Sequence, residues 1–236
     1  MDVAGSNPVF RSIFAGPVGV GPRPRGGAVA AGPFRCAVGV RVARSNPSGG
    51  GVGDRAAVER AVADLIRALG LDSAAEPELA RTPARMAELY AEIFSGLDPS
   101  ASPEVAIFAH EGGADQLVTV RDLPFHSLCV HHFVPFFGRA HVAYLPDKSI
   151  MGISGAARLL AHYAHRPQLQ ERLTGQIADH LERLLAPRGL AVVIEARHLC
   201  MEMRGVRTPG RVETRVVRGA LAAPPWAGMP GLRSRP

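Results

Sequence analysis

Apolar residues recur along this chain at two spacings, and the spacings divide it into helices and strands. After Asp54, a candidate N-cap, Val58, Val62, Leu65, Ile66 and Leu69 fall at i, i+4, i+7, i+8 and i+11 before Gly70. That period predicts an amphipathic helix with one buried stripe. A second helix is predicted from Thr82 as N-cap, with Pro83 at the first helical position and Met86, Leu89, Tyr90 and Ile93 on one side up to Gly96. Strands are predicted around 105–109 and 116–121, and alternation over 139–144 predicts another, ended by Pro146-Asp147. Residues 153–164 read as a helix. Arg166-Pro167 breaks it before a longer one over 168–185, whose buried stripe is Leu169, Leu173, Ile177, Leu181 and Leu184. Pro187-Arg188-Gly189 then turns the chain into strands at 191–197 and 211–218. Helices that fall between separate pairs of strands predict an α+β sheet domain rather than a doubly wound parallel one.

Outside this periodic region the pattern lapses. Residues 1–53 are rich in Gly, Pro, Ala and Arg, show neither period, and close on Ser48-Gly49-Gly50-Gly51; a disordered extension is expected there, a folded domain over 54–219, and a flexible tail over 220–236. The net charge of +6 is concentrated in the extension, where six arginines face the single acid Asp2. The remainder is nearly neutral, so nucleic acid is not an expected partner. No apolar run approaches the ~20 residues of a bilayer crossing, so no membrane span is expected. Three cysteines, Cys36, Cys129 and Cys200, cannot build a disulfide framework, and no secretory leader pattern opens the sequence. A reducing, cytoplasmic setting is expected.

Two of those cysteines lie among histidines, in Cys129-Val130-His131-His132 and His198-Leu199-Cys200. Thiolate and imidazole are the commonest zinc donors. Cys129 and His132, at i and i+3, can chelate from one turn, and Cys200 can close the set from the end of a neighbouring strand. Four protein ligands make a structural zinc site, whereas three leave a position for water and hence for hydrolysis. His131 and His198 would then stand beside the metal as acid–base groups that titrate near neutral pH. The competing reading is packed core, since isolated buried Cys and His residues are common. The remaining histidines, His110, His126, His141, His162, His165 and His180, lack a partner pattern and read as structural or surface residues.

The segment Leu128-Cys129-Val130-His131-His132-Phe133 resembles the cysteine–glutamate–histidine–histidine motif of the GTP cyclohydrolase I family. Further motifs follow in register. Ile150-Met151-Gly152-Ile153-Ser154 is similar to the family's glycine–leucine–serine segment, and Arg166 to Thr174 to its arginine–proline–glutamine helix start. His198 to Arg207 is similar to its last active-site motif, and Arg81 to Arg85 and Ile93 to Leu97 also fit. The resemblance spans about residues 56–219. It implies a tunnelling fold, with an antiparallel sheet, helices on one side and an N-terminal helical segment, assembled as a homodecamer with active sites at subunit interfaces. It implies conversion of GTP and water to 7,8-dihydroneopterin triphosphate and formate, the entry to folate and pterin synthesis. Carried over position by position, Cys129, His132 and Cys200 would hold zinc, and His198 would protonate the opening imidazole ring. His131 would serve ribose opening and rearrangement. Glu171, with Gln170 beside it, would take the guanine edge. Ser154, grouped with the two histidines in the catalytic set, would join Arg158, Arg204 and a neighbouring subunit's Arg85 in binding the triphosphate.

Three departures bear on substrate. Val130 stands where the family has glutamate, Gly155 where a lysine follows the serine, and Glu88 where a phosphate-binding lysine falls three residues after Arg85. These departures raise two alternatives. One is a divergent paralogue that acts on a less phosphorylated guanosine or another purine nucleotide. The other is a non-catalytic, zinc-stabilised subunit, although a scaffold has no need of His131, His198 or Glu171.

Overall fold

The structure is a computed structural model that describes residues 53–72, 74–98, 100–112 and 116–223. Asp54 caps α1 (Arg55–Ala68) as expected, its carboxylate accepting the Ala57 N–H at 3.0 Å. The second helix, α2 (Thr82–Ile93), begins differently. A 3-10 turn, Pro77–Arg81, runs straight into it, so Arg81 takes the cap position and Thr82 is already helical. The two helices pack on each other through Val62, Ile66 and Ala87, while Leu65, Leu69 and Leu89 of the expected stripes remain exposed.

The strands are β1 (Ile107–Ala109), β2 (Val118–Cys129), β3 (Pro135–Leu145), β4 (Ser149–Met151), β5 (Pro167–Gln168), β6 (Gly189–His198) and β7 (Val212–Gly219). Five of them form a sheet in the order β5-β2-β3-β6-β7, antiparallel except where the short β5 pairs with the end of β2; β1 and β4 form a separate ribbon. The helices α3 (Ile153–Ala164) and α4 (Gln170–Leu185) cover one face of the sheet. Phe125, Phe136, Ala140, Val142, Tyr144, Val192 and Ile194 meet Leu159, Leu173, Ile177 and Leu181 there in the main core. This is the α+β arrangement that the periodicity predicts.

β2 is twice the predicted length because its pattern is broken midway. Asp122 has φ 59° and the register with β3 shifts between Val120 and Leu123, a bulge stabilised by the Asp122 N–H on His141 Nδ1 at 3.1 Å. Pro124 follows within the strand, opposite Arg139 of β3 and short of the two residues, Leu128 and Cys129, that pair with β5. α4 starts at Gln170 rather than 168 because Gln168 belongs to β5, in register with Cys129. Residues 220–222, expected to belong to the tail, form a further 3-10 turn that buries Leu221 against Leu145 and Ala191. Residues 1–52 of the expected extension over 1–53, and the rest of the tail, lie outside the described residues.

Candidate active site

β2 ends at Cys129, and the chain turns back at once into β3. The Cys129 carbonyl accepts from the Phe133 N–H at 2.8 Å and the His132 N–H at 3.3 Å, and the Cys129 N–H returns to the Val134 carbonyl at 3.0 Å. Phe133 closes the turn at φ 52°. The Val130 N–H reaches the Gln168 carbonyl at 2.9 Å, which fastens the turn to β5. A loop this tightly bonded fixes where His131 and His132 project.

The third donor comes from β6. His198, its last residue, pairs in register with Phe136, and the short helix α5 (Leu199–Glu202) sets Cys200 opposite the turn. Donor atoms of Cys129, His132 and Cys200 all lie within 4.8 Å of one another. Cys129 is buried, Cys200 half-buried and His132 exposed. Burial, and then the neighbouring Cys129 thiol, pushes the Cys200 thiol above its ordinary value. Two converging thiols and an imidazole are the donor chemistry of a borderline-soft divalent cation, and three protein donors would leave such an ion a further position for water.

Around these three stand the predicted acid–base groups. His131 Nδ1 lies 3.6 Å from Cys129 Sγ, and Arg204 Nη1 lies 3.3 Å from His132 Nε2. The His198 ring lies flat on Phe136, and its Nε2 is 2.7 Å from Gln170 Oε1. Burial lowers the His198 pKa, while the charges of Glu171 and Glu202 pull it back up. Glu171 itself is exposed in the first turn of α4.

Gln170, expected to join Glu171 on the substrate, is only 2% exposed, and both ends of its amide are committed inside the protein. Successive helical residues point about 100° apart, so with Glu171 facing out Gln170 faces the sheet. Phe136, Thr174 and Thr214, which complete this arrangement, carried no sequence signal of their own. Only the cross-strand register brings them together.

Ser154, Arg158 and Arg85 are not brought to the cluster within one chain. Ser127 Oγ donates to the Ala164 carbonyl at 2.7 Å, so the C-terminal end of α3 is the end near Cys129. Ser154 lies ten residues back along that helix, ~15 Å at ~1.5 Å per residue. There the Met151 N–H binds Tyr144 OH at 3.0 Å, near the far end of β3. Arg158, exposed, donates to the Glu104 carbonyl at 3.3 Å. Arg85 is exposed on α2, nine residues before the Phe94 ring that abuts Phe133.

A model of the GTP cyclohydrolase I family matches residues 58–226. GTP cyclohydrolase 1 of Mycolicibacterium vanbaalenii is 52% identical over 171 residues, covering 70% of this chain and 83% of that protein. The enzyme of Thermobifida fusca is 49% identical over 171 residues, covering 71% and 81%. That of Streptococcus mutans serotype c is 48% identical over 169 residues, covering 70% and 86%. With its Cys-His-Cys cluster flanked by two histidines, and similarity of this extent along the whole domain, the chain belongs to the GTP cyclohydrolase I family.

Proposed function

We propose that this chain hydrolyses GTP to 7,8-dihydroneopterin triphosphate and formate, working as a zinc enzyme of pterin and folate synthesis. The observation that carries the reading is the convergence of Cys129, His132 and Cys200 within 4.8 Å, with His131 against the cluster. Those three residues would hold zinc, which when bound supplies the Lewis acidity that makes water a nucleophile near neutral pH. His198 gives the proton that the opening imidazole ring of the guanine needs, and His131 serves ribose opening and rearrangement. Glu171 accepts from the guanine N–H edge, and Arg204, beside His132, pairs with phosphate oxygens. Both ligand cysteines are free thiols, which suits the reducing cytoplasm.

Ser154, Arg158 and Arg85 complete the triphosphate grip from other copies of the chain in a homodecamer. Two observations support this. The length of α3 separates Ser154 from the cluster of its own chain. Ile153, beside Ser154, is 87% exposed, and Val206, beside the Arg204 segment, is 74% exposed, as apolar residues awaiting a partner would be.

The test is incubation of the zinc-loaded protein with GTP, following formate release and pterin fluorescence together. Release of both is expected, and absence of both overturns the reading. A second reading, a guanosine carrying fewer phosphates, is favoured by two local features. The Glu88 carboxylate is held by Arg55 on the surface that carries Arg85, and Gly155 is buried against Met151 and Val105 where a longer side chain has no room. Rates on GTP, GMP and guanosine separate the two: a triphosphate preference under ~10-fold, or ~1.4 kcal/mol, selects the second.

A further inference from the structure

We infer that Gln170 is a positioning residue that fixes the His198 ring with a hydrogen on Nε2, leaving Nδ1 as the nitrogen presented to substrate. The inference deepens the proposed reaction and rests on it for the role of His198.

The argument follows the direction of each hydrogen bond. Thr174 Oγ1 donates to the Gln170 backbone carbonyl at 2.8 Å, so its one proton is spent. Thr214 Oγ1, 2.6 Å from Thr174 Oγ1, must then be the donor in that contact. It is thereby left to accept from Gln170 Nε2, which lies 3.1 Å away. The two hydrogens of that Nε2 also face the carbonyls of Ile194 at 2.9 Å and Val212 at 2.8 Å, so that the longer Thr214 contact shares one of them. Turning the amide over would aim its oxygen at two carbonyl oxygens in a buried place, a loss of ~1 to 3 kcal/mol for each unsatisfied group. The orientation is therefore locked, and Oε1 faces His198 Nε2 at 2.7 Å.

An amide oxygen has no hydrogen to give, so the hydrogen in that contact belongs to His198. The imidazole keeps Nε2–H whether the ring is neutral or charged, and Phe136, stacked at 4.7 Å and 2° from parallel, holds the ring plane. Nδ1 makes no hydrogen bond among the described residues. The relay explains why a fully buried glutamine begins α4 and why a threonine stands at 214 in a strand otherwise alternating with charged residues. It joins α4, β6 and β7 to one imidazole.

Neutron diffraction from crystals of the deuterated, zinc-loaded full chain reads the assignment directly. Deuterium on His198 Nε2, facing Gln170 Oε1, is expected; a bare Nε2 overturns the inference, whatever the activity. In solution, Gln170→Met should lower kcat for formate release by ~30-fold or more while KM for GTP stays within ~2-fold, since the loss falls on the orientation of the His198 ring rather than on binding. A raised KM at unchanged kcat would make Gln170 a substrate contact and overturn it. Should Gln170→Met not fold, Thr214→Val and Thr214→Ser decide: the valine is expected to lose kcat and the serine to recover it, and equal rates overturn the relay. Failure of wild type to release formate would instead count against the proposed reaction, leaving the deuterium position to judge the tautomer.

Discussion

Arg55 Nη2 stands 2.5 Å from Glu88 Oε1 and ties the start of α1 to the middle of α2. Both side chains are more than half exposed, so the pair contributes under ~1 kcal/mol to stability. Its larger effect is on charge, because Glu88 lies one helical turn from Arg85. Glu88→Lys should leave the melting temperature nearly unchanged yet lower KM for GTP by ~10-fold, the scale of one charge-assisted contact, and do much less for guanosine. Steady-state kinetics on the two substrates checks this, and equal effects on both would remove Glu88 from the phosphate pocket.

Replacement of any one of Cys129, His132 or Cys200 by alanine should strip zinc and lower formate release by at least ~1,000-fold, because two remaining donors do not hold the ion. Elemental analysis beside the assay provides the check. Chelation of the wild type should give the same loss, reversed by added zinc.

Gly155 is buried in the first turn of α3, and a Cβ there would lie 2.6 Å from Met151 Cγ and 2.7 Å from Val105 Cγ1. Gly155→Ala should therefore destabilise the protein by ~1 to 2 kcal/mol despite its gain in helix propensity. Denaturant unfolding measures it. A stabilised variant would show that the pocket yields freely.

His162 carries the clearest acid dependence. Burial, then the Arg166 guanidinium beside its ring, lowers its pKa to about 4 from the ordinary 6.5. Between these values the unfolded chain binds a proton that the folded protein resists, so stability is fully present above pH 6.5 and falls as pH drops toward 4. His162→Gln should flatten the melting temperature across that window relative to wild type. Parallel curves for the two proteins would show that the ring titrates normally.

α3 was legible to the residue because its 3.6 period is bounded by Gly152 and Pro167. The donor set was legible because two of the three cysteines stand within three residues of histidines, in Cys129-Val130-His131-His132 and His198-Leu199-Cys200. β2 was half missed, since Asp122 at positive φ and Pro124 interrupt an alternation that the strand nevertheless continues. The role of Gln170 was hidden for another reason: motif neighbours share a neighbourhood, but helix geometry turns adjacent residues to different surfaces. Likewise, a motif matches Ser154 without its distance from the cluster along α3 being legible.

The length of α3 has a genetic consequence. In the proposed homodecamer a polypeptide deprived of its own cysteine donors would still present an intact Ser154 and Arg158 to an adjoining protomer, and an Arg158→Ala polypeptide would still carry Cys129, His132 and Cys200. Two separately inactive alleles, expressed together or mixed after mild dissociation, should therefore complement. The recovered fraction would follow the proportion of neighbouring pairs in which sound halves meet.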